Sequence, residues 1–231
     1  MDNAILTKTT EAIVAGERVR LHPHAALYWE RADTLVVADL HLGKATHFRR
    51  HGMPVPTYVQ DETLEKLSGL LLDFRPRRLL MLGDLFHSDY NEEWEDFGDL
   101  VLGFAGQTEF ALVPGNHDRL TRHQFDKLGI AVHPEPYVEG PFAWSHHPHT
   151  AKELAAAGRS DAVGAYNLAG HVHPAVKLHG GGRSLKLPCF FFGREGGLLP
   201  AFGAFTGTAT LKVRRGERAF VLAGERVVEA A

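Results

Sequence analysis

Apolar residues in this chain fall into two periodicities. Three short unbroken runs, Leu35-Val36-Val37-Ala38, Leu79-Leu80-Met81-Leu82 and Phe110-Ala111-Leu112-Val113, read as strands covered on both faces. Between the first two, Val59, Thr63, Leu64, Leu67, Leu70, Leu71 and Phe74 recur at helical spacing and predict a helix from Thr57 to Phe74. Between the second and third, Trp94, Phe97, Leu100, Val101 and Phe104 predict one from Asn91 to Ala105, stopped by Gly106. A third helical stretch runs from about Leu120 to Leu128 and closes on Gly129. Strand and helix in alternation imply an α/β fold with parallel strands. The first thirty residues differ: Glu17 to Leu21 and Ala26 to Trp29 suggest antiparallel strands at a sheet margin.

The second half changes character. Ile130 to Val132, Phe142 to Ser145 and Tyr166 to Ala169 read as short strands, Lys152 to Ala157 as a helical piece, and the glycine-punctuated tail from Ala175 to Val228 as hairpins. No linker or repeat interrupts the chain. We therefore expect one domain over residues 1–231, built of two packed sheets with helices outside.

Charge and composition change this picture little. Twenty-five Lys and Arg against 28 Asp and Glu give a net charge of -3, which offers no chain-wide footprint for a polyanion but allows a local basic groove. No run is long enough to span a membrane, and the N-terminus lacks a basic region followed by an apolar block. The single cysteine, Cys189, excludes an intramolecular disulfide and a cysteine zinc site; between Pro188 and Phe190 it reads as core. A cytoplasmic protein with no membrane association is expected. Histidine is the outlier, at 15 residues.

Placement matters more than that count. Each buried run stops at a polar group: Ala38 runs into Asp39-Leu40-His41, Leu82 into Gly83-Asp84, Val113 into Pro114-Gly115-Asn116-His117-Asp118, Ser145 into His146-His147-Pro148, and Ala169 into Gly170-His171-Val172-His173-Pro174. Carboxylate and amide oxygens and imidazole nitrogens without thiolate suit borderline-hard divalent ions such as Mn, Fe or Zn, and the groups are numerous enough for two ions. Asp39 and His41 are expected to share one face as alternate residues of an extended segment. Each motif alone is commonplace, and His146-His147 alone could be a solvated turn. Five of them in succession at strand ends form the signal.

In order and type these motifs resemble those of the calcineurin-like metallophosphoesterases over residues 34 to 174. The resemblance implies a four-layer αββα sandwich of two mixed sheets flanked by helices, with a dinuclear centre hydrolysing phosphodiesters through a metal-activated hydroxide. It further implies that Asp39, His41 and His173 hold one ion, Asn116, His146 and His171 the other, and Asp84 both. His117 would protonate the leaving oxygen, oriented by Asp118. Where many members carry a second Asp after the bridging one, this chain has His87, a substrate contact or a loop residue. The flanks Leu42-Gly43-Lys44, Leu85-Phe86-His87-Ser88 and His147-Pro148 are similar to those of bacterial ligase-associated DNA damage response endonucleases. That narrower likeness implies a manganese-dependent DNA endonuclease of a repair pathway, associated with a helicase, an exonuclease-like protein and a DNA ligase.

The cations near the motifs are compatible with DNA. Lys44, Arg49 and Arg50 follow the first motif, Arg119 and Arg122 the third, while Arg75, Arg77 and Arg78 enter their strand from its other end and read as a solvated face. Lys44, Arg49, Arg119 and His87 are the candidate substrate contacts, and Phe48 and Tyr90 could stack on bases. Two alternatives stay open: a phosphoesterase of nucleotides or cyclic nucleotides, and a non-catalytic scaffold of the same fold.

Overall fold

The structure is a computed structural model that describes residues 8–43, 58–86, 91–180, 182–204 and 206–230, with side chains of the first helix from residue 62 onward. The first sheet has seven strands in sequence order: β1 (Thr10–Val14), β2 (Glu17–His22), β3 (Ala26–Trp29), β4 (Thr34–Ala38), β5 (Arg78–Leu82), β6 (Glu109–Val113) and β7 (Ile130–Val132). β1 to β4 form an antiparallel meander, and β4 to β7 run parallel. The expected margin strands and parallel core are both present.

Strand alternation divides this sheet between two cores. Leu35, Val37, Leu79, Met81, Phe110 and Leu112 face α1 (Tyr58–Phe74) and α2 (Glu92–Gly103), packing on Leu67, Leu71, Trp94, Phe97 and Val101. The intervening Val36, Ala38, Leu80, Leu82, Ala111 and Val113 face the second sheet and meet Trp144, Leu168, Phe190 and Phe220. Both faces are covered, which is why these strands are unbroken apolar runs. Asn91 caps α2 by accepting the Glu93 amide at 2.9 Å.

The second sheet runs in the order β14 (Ala209–Thr210), β11 (Pro174–Gly180), β12 (Arg183–Phe192), β13 (Gly196–Leu198), β10 (Tyr166–Ala169), β9 (Phe142–Ser145) and β8 (Tyr137–Glu139). β15 (Arg218–Ala223) pairs with β12 and with β16 (Arg226–Glu229). On its outer face lie α4 (Ala151–Ala156) and a 3-10 turn at Ser160–Ala162, joined through Leu154, Ala162 and Ala143. The two mixed sheets flanked by helices are as expected, with this outer helical layer reduced to a single short helix and a turn among the described residues. α3 (Arg122–Lys127) falls within the predicted stretch, and Gly129 follows it at φ 70. No described helix is long and apolar enough to cross a membrane.

One strand and one charge depart from expectation. β8 lacks a run of its own, with all three residues only partly buried. Arg78, expected on a solvated face with Arg75 and Arg77, is buried, while those two are exposed. Its guanidinium bonds Glu139, Thr34 Oγ1 at 3.2 Å and Tyr137 OH at 3.4 Å. Glu139 and Tyr137 come from β8, so a strand unmarked in sequence supplies the counter-charge and a hydroxyl to a cation that only tertiary contact buries.

A strap formed by residues 199–204 and 206–209 ties the two sheets together at one edge. The amide of Leu199 donates to Ala169 O, that of Phe202 to Ala38 O, that of Gly203 to Asp39 O, and that of Ala209 to His173 O. Lys66 of α1 reaches over to Phe202 O. The strand ends carrying the polar motifs are thereby held at one rim.

At the neighbouring end of β2, His22 is buried, and burial assisted by His24, Lys8 and Lys66 pushes its pKa from 6.5 down to about 3. The folded chain thus protonates His22 at lower pH than the unfolded chain does. Its contribution is complete above pH 6.5 and is lost as pH falls toward 3. In chelator, His22→Asn should show a smaller drop in melting temperature between pH 7 and pH 5 than the parent; equal drops would contradict this assignment.

Candidate metal centre

Five of the motif residues have a backbone that their side chains disfavour. Asp39, His41, Asp84, His171 and His173 sit at φ 54, 53, 47, 64 and 50. Each such left-handed residue costs about 1–3 kcal/mol unless its surroundings fix it. Asp39 and His41 therefore do not converge by strand alternation, as expected from sequence. The turn after β4 instead rides on the turn after β5, with His41 N donating to Asp84 O at 2.8 Å and Leu42 N to Leu85 O at 3.0 Å.

The motif glycines allow the close approach. A Cβ on Gly83, which has φ 65, would stand 2.2 Å from His146 Nδ1, and one on Gly170 would stand 2.5 Å from Asp39 Oδ2. Side chains are absent there because functional atoms occupy the space.

All seven expected ligands come together. Ligating atoms of Asp39, His41 and His173 lie within 4.8 Å of one another, as do those of Asp39, Asp84 and His146, and those of His146, His147 and His171. His146 Nε2 is 3.0 Å from Asn116 Oδ1 and 3.5 Å from Asp84 Oδ1. It also lies 3.0 Å from His171 Nδ1, while His41 Nε2 lies 3.3 Å from His173 Nε2. Asp39, Asp84 and His146 are buried. Burial holds His146 below the ordinary imidazole pKa despite Asp84 and Asp39, leaving a neutral ring with a lone pair.

This geometry fits a cation better than a hydrogen-bonded network. His146 Nε2 has Asn116 Oδ1, His171 Nδ1 and Asp84 Oδ1 within 3.5 Å, more neighbours than one ring N–H can serve, and Asp39 Oδ1 and His146 Nδ1 are buried without a hydrogen-bond partner among the described residues. Oxygen and nitrogen donors from two carboxylates, one amide and four imidazoles suit borderline divalent ions.

The Gly-Asn-His-Asp turn is fixed from both sides. His117 N donates to Asp84 Oδ1 at 3.0 Å, so the turn is pinned to the shared carboxylate. Asp118 accepts the Phe86 amide at 2.9 Å and the Gly115 amide at 2.8 Å, tying the loops after β5 and β6 together. Burial pushes the Asp118 pKa up to about 6 against those amides. Arg119 is exposed just beyond the turn. Lys44, Arg49 and His87 lie outside the described residues, as do Arg50, Phe48 and Tyr90.

Two neighbours were not foreseen. The His147 ring centre lies 4.6 Å from those of both His146 and His171, edge-on to the first and tilted to the second. Glu135 accepts the His147 amide at 2.6 Å and lies 3.3 Å from its Nδ1, the arrangement in which a carboxylate orients a metal-facing imidazole. The His-His doublet was visible in sequence. Glu135 lies in the loop before β8, where no local signal marks it.

A fold of two facing sheets with acidic and imidazole groups gathered at one rim defines a metal-dependent phosphoesterase. The chain belongs to the calcineurin-like phosphoesterase family, whose profile matches residues 33–190. Among solved structures it is similar to the Pseudomonas putida nuclease MPE, at 30% identity over 96% of this chain and 99% of that one, with a TM-score of 0.77. A protein of unknown function from Aquifex aeolicus matches at 18% identity over 61% of this chain and 78% of its own, with a TM-score of 0.41. Vps29 from Entamoeba histolytica, as a double mutant, matches at 15% identity over 85% and 96%, with a TM-score of 0.38. No curated protein matches the sequence.

The crowding at Gly83 can be separated from its conformation. Gly16→Ala, at φ 81 in open space, should cost only the left-handed penalty of about 1–2 kcal/mol. Gly83→Ala should cost at least about 2 kcal/mol more, because the His146 ring must move. Chemical denaturation of both variants measures the difference, and equal losses would refute the crowding.

Proposed function

We propose that this chain is a manganese-dependent phosphodiesterase with a dinuclear centre, cutting DNA as an endonuclease of a repair pathway in the cytoplasm, with residues 1–231 acting as one unit. The observation that carries the reading is the convergence of seven side chains whose ring nitrogens and oxygens crowd together at one rim. In this reading Asp39, His41 and His173 would hold one ion, Asn116, His146 and His171 the second, and Asp84 would contribute to both. Bound divalent ions would supply Lewis acidity toward phosphoryl oxygens and an activated water. Glu135 and His147 buttress the second group of ligands. His117 gives a proton to the leaving oxygen, and Asp118 holds its turn through the Gly115 and Phe86 amides.

For the substrate, the support is the likeness to the Pseudomonas putida nuclease across nearly the whole chain. Arg119, exposed beside the turn, is available to a phosphate, and Lys44, Arg49 and His87 are retained as further contacts. The motif flanks, Leu85-Phe86 and His147-Pro148 among them, are the support for a role beside a helicase, an exonuclease-like protein and a DNA ligase.

Leaving-group chemistry provides the test. Purified protein with Mn²⁺ is assayed on single-stranded and duplex DNA, mononucleotides and bis-p-nitrophenyl phosphate. Asp84→Ala should abolish hydrolysis of every substrate. His117→Ala should lose about 10²–10⁴-fold on DNA, where the leaving alkoxide needs a proton, and far less on the nitrophenyl ester, whose leaving group does not. Hydrolysis of mononucleotides alone would overturn the DNA reading, and equal losses on both diesters would remove His117 from the acid role. Stripping metal with chelator and restoring Mn²⁺ at 100 times the parent's Kd should add about 2.7 kcal/mol of stability for each site filled, and the same Mn²⁺ concentration should add less to Asp84→Ala.

A further inference from the structure

The basic residues of the tail are not used by the chemistry above. Residues 174–192 contain Lys177, Arg183 and Lys186, residues 206–216 contain Lys212, Arg214 and Arg215, and neither segment holds an Asp or Glu. In a chain of net charge -3 this is a strong local asymmetry. β11, β12 and β14 bring the two segments side by side.

Their register lines up three lysines. Lys177 on β11 is directly opposite Lys186 on β12. On its other side β11 runs parallel to β14 with Ala175 against Thr210, and the Leu211 amide continues the ladder to Ala175 O, which sets Lys212 beside Lys177. All three lysines are exposed, and Lys186 Nζ is steadied at 2.6 Å on Thr208 O. Val176, Val213 and Cys189 turn the other way into a small core, so the row is held on a built surface.

Like charges opposite each other across strands destabilise a sheet. A row of three, without a carboxylate in either segment, calls for an anion with repeated charges. The strand also starts at the right place: β11 begins at Pro174, immediately after His173 of the metal centre. Lys177 is four residues from that histidine, about 13 Å along an extended chain.

We propose that the row Lys186-Lys177-Lys212 is a track for the phosphate backbone of a DNA strand whose scissile bond lies at the metal centre. The proposal rests on the DNA reading above and assigns it a second contact region away from the reacting atoms. Phosphate contacts of this kind fix register without reading sequence. A short diester fills the metal centre without reaching the row, whereas a long strand must cross it.

The test uses the full chain with Mn²⁺ and compares Lys177→Ala/Lys212→Ala with a control pair at other surfaces, Arg77→Ala/Lys152→Ala. On a 30-nucleotide single strand at 150 mM salt the lysine pair should raise KM at least tenfold with kcat within twofold. Bis-p-nitrophenyl phosphate hydrolysis should stay within twofold. The salt slope of log(kcat/KM) should fall by about 1.4, the single-strand value for two lost phosphate contacts. Unchanged KM and slope, or an equal effect in the control pair, would overturn the track. A parent that hydrolyses the nitrophenyl diester and leaves DNA intact would overturn the DNA reading instead. In that event anisotropy of a labelled 30-mer decides what is left of the track: binding lost in the lysine pair upholds the row as a backbone contact without cleavage, and no binding by the parent sinks it. Polyglutamate competing as well as DNA at equal charge would point to an acidic protein partner and also overturn it.

Discussion

Everything at the working edge of this protein follows from burying two carboxyl groups side by side with almost nothing to compensate them. Asp39 and Asp84 lie among imidazoles, and among the described residues their ion-pair neighbours are His146 and His173, never a lysine or arginine. Their backbone support includes the His171 amide at 2.8 Å from Asp39 and the His117 amide at 3.0 Å from Asp84. Removing charge from water costs several kcal/mol per group in a protein interior. The left-handed turns at Asp39, His41, Asp84, His171 and His173 add strain at the same rim. Two apolar cores, one under the helices and one between the sheets, stabilise the frame that holds these groups together.

The frame was more legible in sequence than the means by which it makes a site. Leu35 to Ala38 and Leu79 to Leu82 announce themselves because strands covered on both faces must be apolar throughout. The helix of Leu67, Leu71 and Phe74 is equally plain, since only one of its faces meets a core. Candidate ligands were found because polar groups at the ends of such strands have few other uses. The route by which Asp39 and His41 converge was not legible. Aspartate and histidine enter the left-handed region more often than most side chains but still seldom, so they do not announce it as Gly83 does.

What escaped sequence reading depends on partners distant along the chain. Arg78 looks solvated beside Arg75 and Arg77 until Glu139 and Tyr137 arrive from β8. Glu135 becomes meaningful only beside His147. The lysine row is invisible along the chain, because Lys186 and Lys212 meet Lys177 through two different strand registers. Periodicity reports how one segment meets a core, and it cannot report which two polar residues will share a neighbour.

The strap over the rim bears on how the protein is made. Every proposed ligand has been synthesised once residue 173 is added, yet Phe202 and Gly203, whose amides hold the backbone of Ala38 and Asp39, come some thirty residues later. A nascent chain emerging from the ribosome therefore carries a complete set of donor side chains before it carries the backbone that fixes the first of them. The order of translation separates the appearance of the ligands from the closing of the site.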